Sequence, residues 1–221
     1  MSEFKRHPSP KLNALYYKKS YQGANPNDAK IIFIGKDPNW AIDVEEKPIF
    51  TKIEEYLTDG ISFWKKYNIH HPFLLSEYRK GEGFKYHNAF SKTNIKNIYA
   101  DKISFVELIG FPTTGMSGSD NKNFSKYLFS NENRINLFEL DKLFNDVDKT
   151  IFMAWGLIDY LKSINQKNGL FKKIENIDKK KLNRLDLNQI DNLFIHKHFS
   201  MGISINTINK ISQKIHEKFS E

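Results

Sequence analysis

Four dense apolar runs punctuate an otherwise polar chain: Lys30–Gly35, Ile103–Gly110, Lys149–Gly156 and Asn192–Ser200. Each ends in small, polar or turn-forming residues, and its continuous hydrophobicity suits a strand covered on both faces. The stretches between them have helical character, notably Ile49–Tyr67 and Leu137–Phe144, with Ile158–Ile164 following the third run directly. In the tail, Asn206–Phe219, Ile208, Ile211, Ile215 and Phe219 recur at the three- to four-residue spacing of an amphipathic helix. Residues 1–28 read as an arm or short helix packed on the sheet. The polar stretch Asn165–Asp191, with Lys179, Lys180 and Lys181, reads as a solvated helix or mobile insertion rather than a DNA clamp.

Strands alternating with helices predict an α/β fold, a three-layer α/β/α sandwich with a central four-stranded parallel sheet. The length, 221 residues, suits one domain spanning 1–221. In such a fold the active residues lie just beyond the carboxyl ends of the strands. Four segments therefore become candidates: Gly35–Trp40, Gly110–Gly118, Ala154–Leu157 and His196–Ser204.

Composition changes this picture modestly. Lys and Arg number 34 against 26 Asp and Glu, and the resulting charge of +8 favours a polyanionic partner. Basic composition alone does not name DNA. The chain has no cysteine, which excludes disulfides, thiolate zinc sites and cysteine-held iron–sulfur clusters. Met1–Leu15 lacks an apolar stretch of signal-peptide length, and no run approaches the ~20 apolar residues of a membrane span. A cytoplasmic location is expected, with no membrane partner.

Three strand exits carry candidate chemistry. In IIFIGKDPNW, residues 31–40, Gly35 permits close backbone approach, Pro38 stiffens the exit, and Asp37 sits over the open end of the sheet. Such an acid can polarise water or stabilise a cationic transition state, and the same residues also make an ordinary turn. In Phe194–Ser200, strand alternation places His196 and His198 on one face and Lys197 on the other. A histidine there can donate to an oxygen gaining negative charge, or be a core residue satisfied by backbone. Glu107–Gly118 supplies Pro, Gly and the hydroxyls of Thr113 and Thr114, suited to phosphates or base edges or to a structural turn.

Taken in this order, the motifs resemble those of the uracil-DNA glycosylases. IIFIGKDPNW is similar to that family's first motif, an apolar strand followed by Gly-Gln-Asp-Pro-Tyr-His. HKHFSMGIS resembles its later His-Pro-Ser-Pro motif before a terminal helix, and FVELIGFPTTG occupies the place of the base-reading motif. The resemblance implies hydrolysis of the N-glycosidic bond of a flipped uracil or other damaged base in DNA, with no metal or cofactor, by a monomer. It makes Asp37 the residue that orients the attacking water and stabilises an oxocarbenium-like state. His198 would donate to the base as it leaves, and Ser200 would lie in the loop that pinches the DNA backbone. Gly35, Lys36, Pro38 and Asn39 would line the pocket beside His196, and the loop carrying Thr113 and Thr114 would meet flanking phosphates. Trp40, Phe50 or Phe84 could stack on the base or serve the core, and Tyr86, His87 and Asn88 could add hydrogen-bond donors or pack at a helix start.

The chain departs from the family pattern at three places. Asn39 stands where the family has the Tyr that shields against the thymine methyl, Glu107 where it has the pyrimidine-reading Asn, and Phe199 where it has Pro. An ionised carboxylate only accepts hydrogen bonds, so Glu107 suits a base edge rich in N–H donors. His7-Pro8-Ser9-Pro10 repeats the later motif but precedes the first apolar run, a coincidence on this reading. Two other functions fit the same residues: a non-catalytic nucleic-acid-binding protein, and a metal-dependent hydrolase using Asp37, His196 and His198.

Overall fold

The structure, a computed structural model, describes residues 3–78, 81 and 83–220. Met1 and Ser2 of the expected arm, and Glu221 at the end of the chain, lie outside the described residues. The chain opens with β1 (Lys5–Arg6), α1 (Pro10–Lys18), β2 (Gln22–Gly23) and β3 (Ile31–Gly35). Then follow α2 (Phe50–Thr58), α3 (Gly60–Tyr67), α4 (Phe84–Ser91), β4 (Ile103–Glu107) and β5 (Thr113–Thr114). The second half holds α5 (Asn121–Leu128), α6 (Asn131–Asn145), β6 (Thr150–Ala154) and α7 (Ile158–Asn168). It closes with β7 (Asn188–Ile190), β8 (Leu193–His196) and α8 (Ile205–Ser220).

Several helices start where a side chain satisfies a free backbone donor. Ser9 caps α1, with Pro10 in the first turn, Asp59 caps α3, Asp120 caps α5 and Ser130 caps α6. Among the described residues no helix is long and apolar enough to cross a membrane.

The main sheet is mixed, with six strands in the order β2-β4-β3-β6-β8-β7. The pairs β4/β3, β3/β6 and β6/β8 are parallel, while β2 and β7 add antiparallel edges. The four apolar runs thus form the inner strands, and the expectation of four strands is corrected to six. The edges escaped notice because Gln22–Gly23 and Asn188–Ile190 are short and pair through backbone, with no apolar run of their own. The segment 165–191 is likewise not a solvated helix throughout: it buries Leu170, Phe171, Ile174 and Ile177 before returning as β7.

Alternation along the inner strands divides the core. Ile32, Ile34, Val106, Ile151 and Met153 pack with residues of α5, α6 and α7. On the opposite face, Ile31, Phe33, Ile103, Phe152 and Phe194 pack with residues of α3, α4 and α8, including Ile208, Ile211 and Ile215. Each fully buried large side chain stabilises the fold by about 1.5–3 kcal/mol. A third cluster joins α1, α2 and α3 through Leu12, Ile53 and Phe63. The face of Phe33 also carries Gly35, Phe105 and Glu107, because Phe33 pairs with Phe105 and Gly35 with Glu107.

Candidate functional site

A cavity of about 750 Å³ opens over this face at the carboxyl ends of the strands. Three of the four candidate strand exits border it, through Asp37 and Asn39, through Ser117, and through His198 and Ser200. At the fourth, Lys179 and Arg184 lie over the Trp155 ring, at 3.7 and 5.0 Å from its centroid.

Asp37 is held by the neighbouring loop. The Thr113 amide donates to the Pro38 carbonyl at 3.0 Å and the Trp40 amide to the Thr113 carbonyl at 2.9 Å, extending the sheet past β3. Asp37 Oδ2 accepts from the Thr113 hydroxyl at 3.0 Å and the Asn39 amide at 3.4 Å. Burial raises the Asp37 pKa, opposed by hydrogen bonds from Ser117 and Thr113, the Lys36 charge and the Asn39 hydrogen bond. Lys36 itself donates to the Tyr160 hydroxyl at 2.7 Å, its ammonium 4.3 Å from the Phe124 ring centre. Thr114 makes no cavity wall: it pairs with Lys5 of β1.

Glu107, the last residue of β4, lies over Gly35. A Cβ at Gly35 would fall within the Glu107 carboxyl group, so any other residue there requires this side chain to move. Glu107 Oε2 is sealed from solvent and makes no hydrogen bond within the fold. Burial and then the charge of Asp37 push the Glu107 pKa well above the ordinary carboxylate range, favouring the neutral acid. That reverses the donor-only edge expected opposite an ionised Glu107.

Of the two histidines of the fourth run, only His198 reaches the cavity wall. Strand β8 ends at His196, which alternation puts on the Phe194 side of the sheet, and the chain then turns at Phe199–Met201. His196 is buried, its Nδ1–H donates to the Lys197 carbonyl at 2.8 Å, its ring packs on Phe199, and it is absent from the cavity wall. His198 does border the cavity, and its Nδ1 lies 2.7 Å from the Ser200 hydroxyl oxygen and accepts from the Ser200 amide at 3.3 Å. In the neutral ring the proton therefore sits on Nε2, free to donate. Burial lowers the His198 pKa, which favours that neutral form.

Among the aromatic candidates, Trp40 lies on the wall, with its indole N–H donating to the Tyr16 hydroxyl at 3.1 Å. Phe50 points into the third core cluster, and neither it nor Phe84 borders the cavity. A helical position gives Phe50 the same apolar signature whether it faces a core or a ligand.

The wall also contains residues that no motif announced: Tyr16, Gln22, His70 and His71, joined by Tyr86 and His87. The His71 and His87 rings stack at 3.5 Å with 9° between planes, and His70 Nε2 lies 3.1 Å from His87 Nδ1. The Phe73 amide donates to His71 Nδ1, leaving that ring's proton on Nε2 as well. Burial depresses all three histidines, His70 to about 3, so they form a neutral aromatic wall. The pair His70-His71 before Pro72 was the available signal. Edge-strand Gln22 had none.

His7-Pro8-Ser9-Pro10 is a fastener for the site loops. The His7 amide donates to Pro112, Ser9 donates its amide to His7 Nδ1, and His7 Nε2–H reaches the Ala41 carbonyl at 3.0 Å. One side chain and its backbone thus join the exits of β3 and β4. Among the described residues no group of three or more His, Asp or Glu is placed to hold a metal, so Asp37, His196 and His198 do not form the alternative centre. No family model matches the chain, and neither a curated protein nor a solved structure matches it.

Proposed function

We propose that this protein is a DNA glycosylase-like enzyme that hydrolyses the N-glycosidic bond of an extruded uracil or other damaged base. The observation that carries the reading is the pairing, on one aromatic-walled cavity, of a carboxylate fixed at a strand exit with a neutral Nε2–H donor, Asp37 and His198. The reading takes inner strands β4, β3, β6 and β8, with helices on both faces, as the three-layer scaffold of a single domain.

In this mechanism the C1′–N bond breaks and its electron pair leaves with the base. His198 Nε2–H stabilises the oxygen on which that charge gathers. Ionised Asp37 steadies the cationic sugar and accepts a proton as water bonds to C1′. The proton then passes to the departing base, giving free base and an abasic site. Aromatic wall residues such as Trp40, Tyr86 and Phe105 offer stacking surfaces for the base. The charge of +8 attracts the DNA backbone.

A panel of oligonucleotides carrying uracil, hypoxanthine, xanthine and oxidised bases tests the reading. Asp37→Asn is expected to lower base release about 10²–10⁴-fold while DNA binding persists. Unchanged turnover in that variant removes the mechanism. Asp37 Oδ2 already accepts from Thr113 and Asn39, which favours a second reading, a binding protein with a structural Asp37. A gel-shift signal with no abasic product from any base selects it.

A further inference from the structure

Two cavity residues hold polar atoms that the fold leaves unanswered. Glu107 Oε2 and both polar atoms of the Gln22 amide are sealed and lack a well-formed hydrogen bond, with the Tyr16 hydroxyl approaching the Gln22 amide. Buried amides and carboxyls are normally satisfied, so such atoms call for a partner. Both side chains border the same cavity. Gln22 pairs with Phe105, two residues before Glu107, so the two lie diagonally on one face of the sheet. Diagonal neighbours are ~7–8 Å apart, close enough for both to turn toward one flat ligand.

The free polar groups around them are mostly donors. Neutral His71 and His198 each carry an Nε2–H, fixed by a backbone amide on Nδ1. Glu107, held neutral by burial, adds an O–H, and Gln22 adds two N–H groups with one acceptor. The matching ligand edge is rich in carbonyl oxygens, with a ring N–H for Gln22 Oε1. There is also width. The Asn39 amide donates to the Gly115 carbonyl, and about 750 Å³ lies within the range that takes a whole small ligand.

We propose that Gln22 and Glu107 are specificity-determining residues that read the edge of an oxopurine, a bicyclic base with a ring N–H beside a carbonyl. The inference rests on the glycosylase reading for its substrate class. Adenine, which has an amino group and no carbonyl, leaves the donors of Glu107 and the histidines facing a donor. Uracil offers the right edge but fills less of the cavity.

Equilibrium binding of free xanthine, hypoxanthine, adenine and uracil to the whole protein, by titration calorimetry, tests the proposal. Xanthine or hypoxanthine is expected to bind at least about tenfold more tightly than adenine, and more tightly than uracil. Gln22→Leu is expected to lower oxopurine affinity about tenfold, the scale of one lost hydrogen bond. Glu107→Gln, which still donates, keeps most of the affinity, whereas Glu107→Leu loses it. Thermal melting of each variant confirms that the protein tested is folded. Equal binding of adenine, tightest binding of uracil, no binding of any base, or an unaffected folded Gln22→Leu variant overturns the proposal. Excision is scored separately. Oxopurine binding that depends on Gln22 without base release defeats the glycosylase reading alone, and base release with a preference independent of Gln22 defeats this inference alone.

Discussion

The carboxyl group of Glu107 occupies the space where a side chain on Gly35 would begin. The two residues are partners across the parallel β3/β4 pair, so both point to the same face. A side chain at position 35 therefore requires the Glu107 carboxyl to shift.

Gly35→Ala is accordingly expected to destabilise the protein by about 1–3 kcal/mol, the usual cost of overpacking. In a Glu107→Ala background the same change should cost much less, giving a coupling of about 0.5–3 kcal/mol. Urea unfolding of the four proteins in this cycle measures it. Additive effects would mean that the two side chains do not compete for the same space.

Asp37 acts as a carboxylate in the proposed mechanism, and burial raises its pKa. The acid limb of kcat/KM is therefore expected above the ordinary aspartate value of about 3.9. The Thr113 hydroxyl stabilises the ionised form, so Thr113→Val should move that limb to higher pH. A pH–rate profile of both proteins decides the matter, and a limb that stays in place or moves down contradicts it.

Acid should weaken the fold through its buried histidines. His70 and His196 are depressed from 6.5 to about 3 and about 4, and His71 and His87 well below that ordinary value, all chiefly by burial. Above pH 6.5 these rings are neutral both folded and unfolded, and their contribution is fully present. As pH falls below 6.5 the unfolded chain takes up protons that the folded one refuses, so stability declines toward about pH 4. The raised carboxyls of Glu107 and Asp37 oppose this, since the folded state holds their protons more tightly, but they are two groups against four. Urea midpoints are expected to fall from pH 7 to pH 5. A midpoint that rises over that interval rules out the buried neutral wall.

His7 fastens the exits of two strands without bordering the cavity. His7→Ala should cost about 0.5–1.5 kcal/mol, the net value of a hydrogen bond, and Ser9→Ala about 1 kcal/mol through the lost helix cap. Base release at saturating substrate should persist in both. Chemical denaturation together with a base-release assay checks the pair, and abolished release in a folded His7→Ala protein would place His7 in the chemistry.

The inner strands, the amphipathic tail and the strand exits at Asp37, Glu107 and His198 were legible because each signal is local. Apolar density marks a two-sided strand, three- to four-residue spacing marks a helix face, and a Gly, an acid and a Pro after a strand mark a turn at the sheet's edge. The same locality left Phe50 open, since a helical apolar position fits a core as well as a ligand wall, and it faces the core. At His196 alternation assigns a face but not access, and the ring lies buried against Phe199, off the cavity wall.

By itself, then, the sequence determined the α/β alternation, the order of the inner runs and the candidate carboxylates, because these follow from near-neighbour periodicity and turn chemistry. Only the tertiary structure decided that Gln22 would sit beside Glu107, that His70, His71 and His87 would form one wall, and that His7 would bind two loops together. Those relations join residues from separate elements through backbone pairing and ring packing, which leave no periodic trace in the chain. It also decided the state of Glu107. A glutamate in a sequence is an acceptor until its surroundings are known, and here burial over Gly35 and the nearby Asp37 favour the protonated donor.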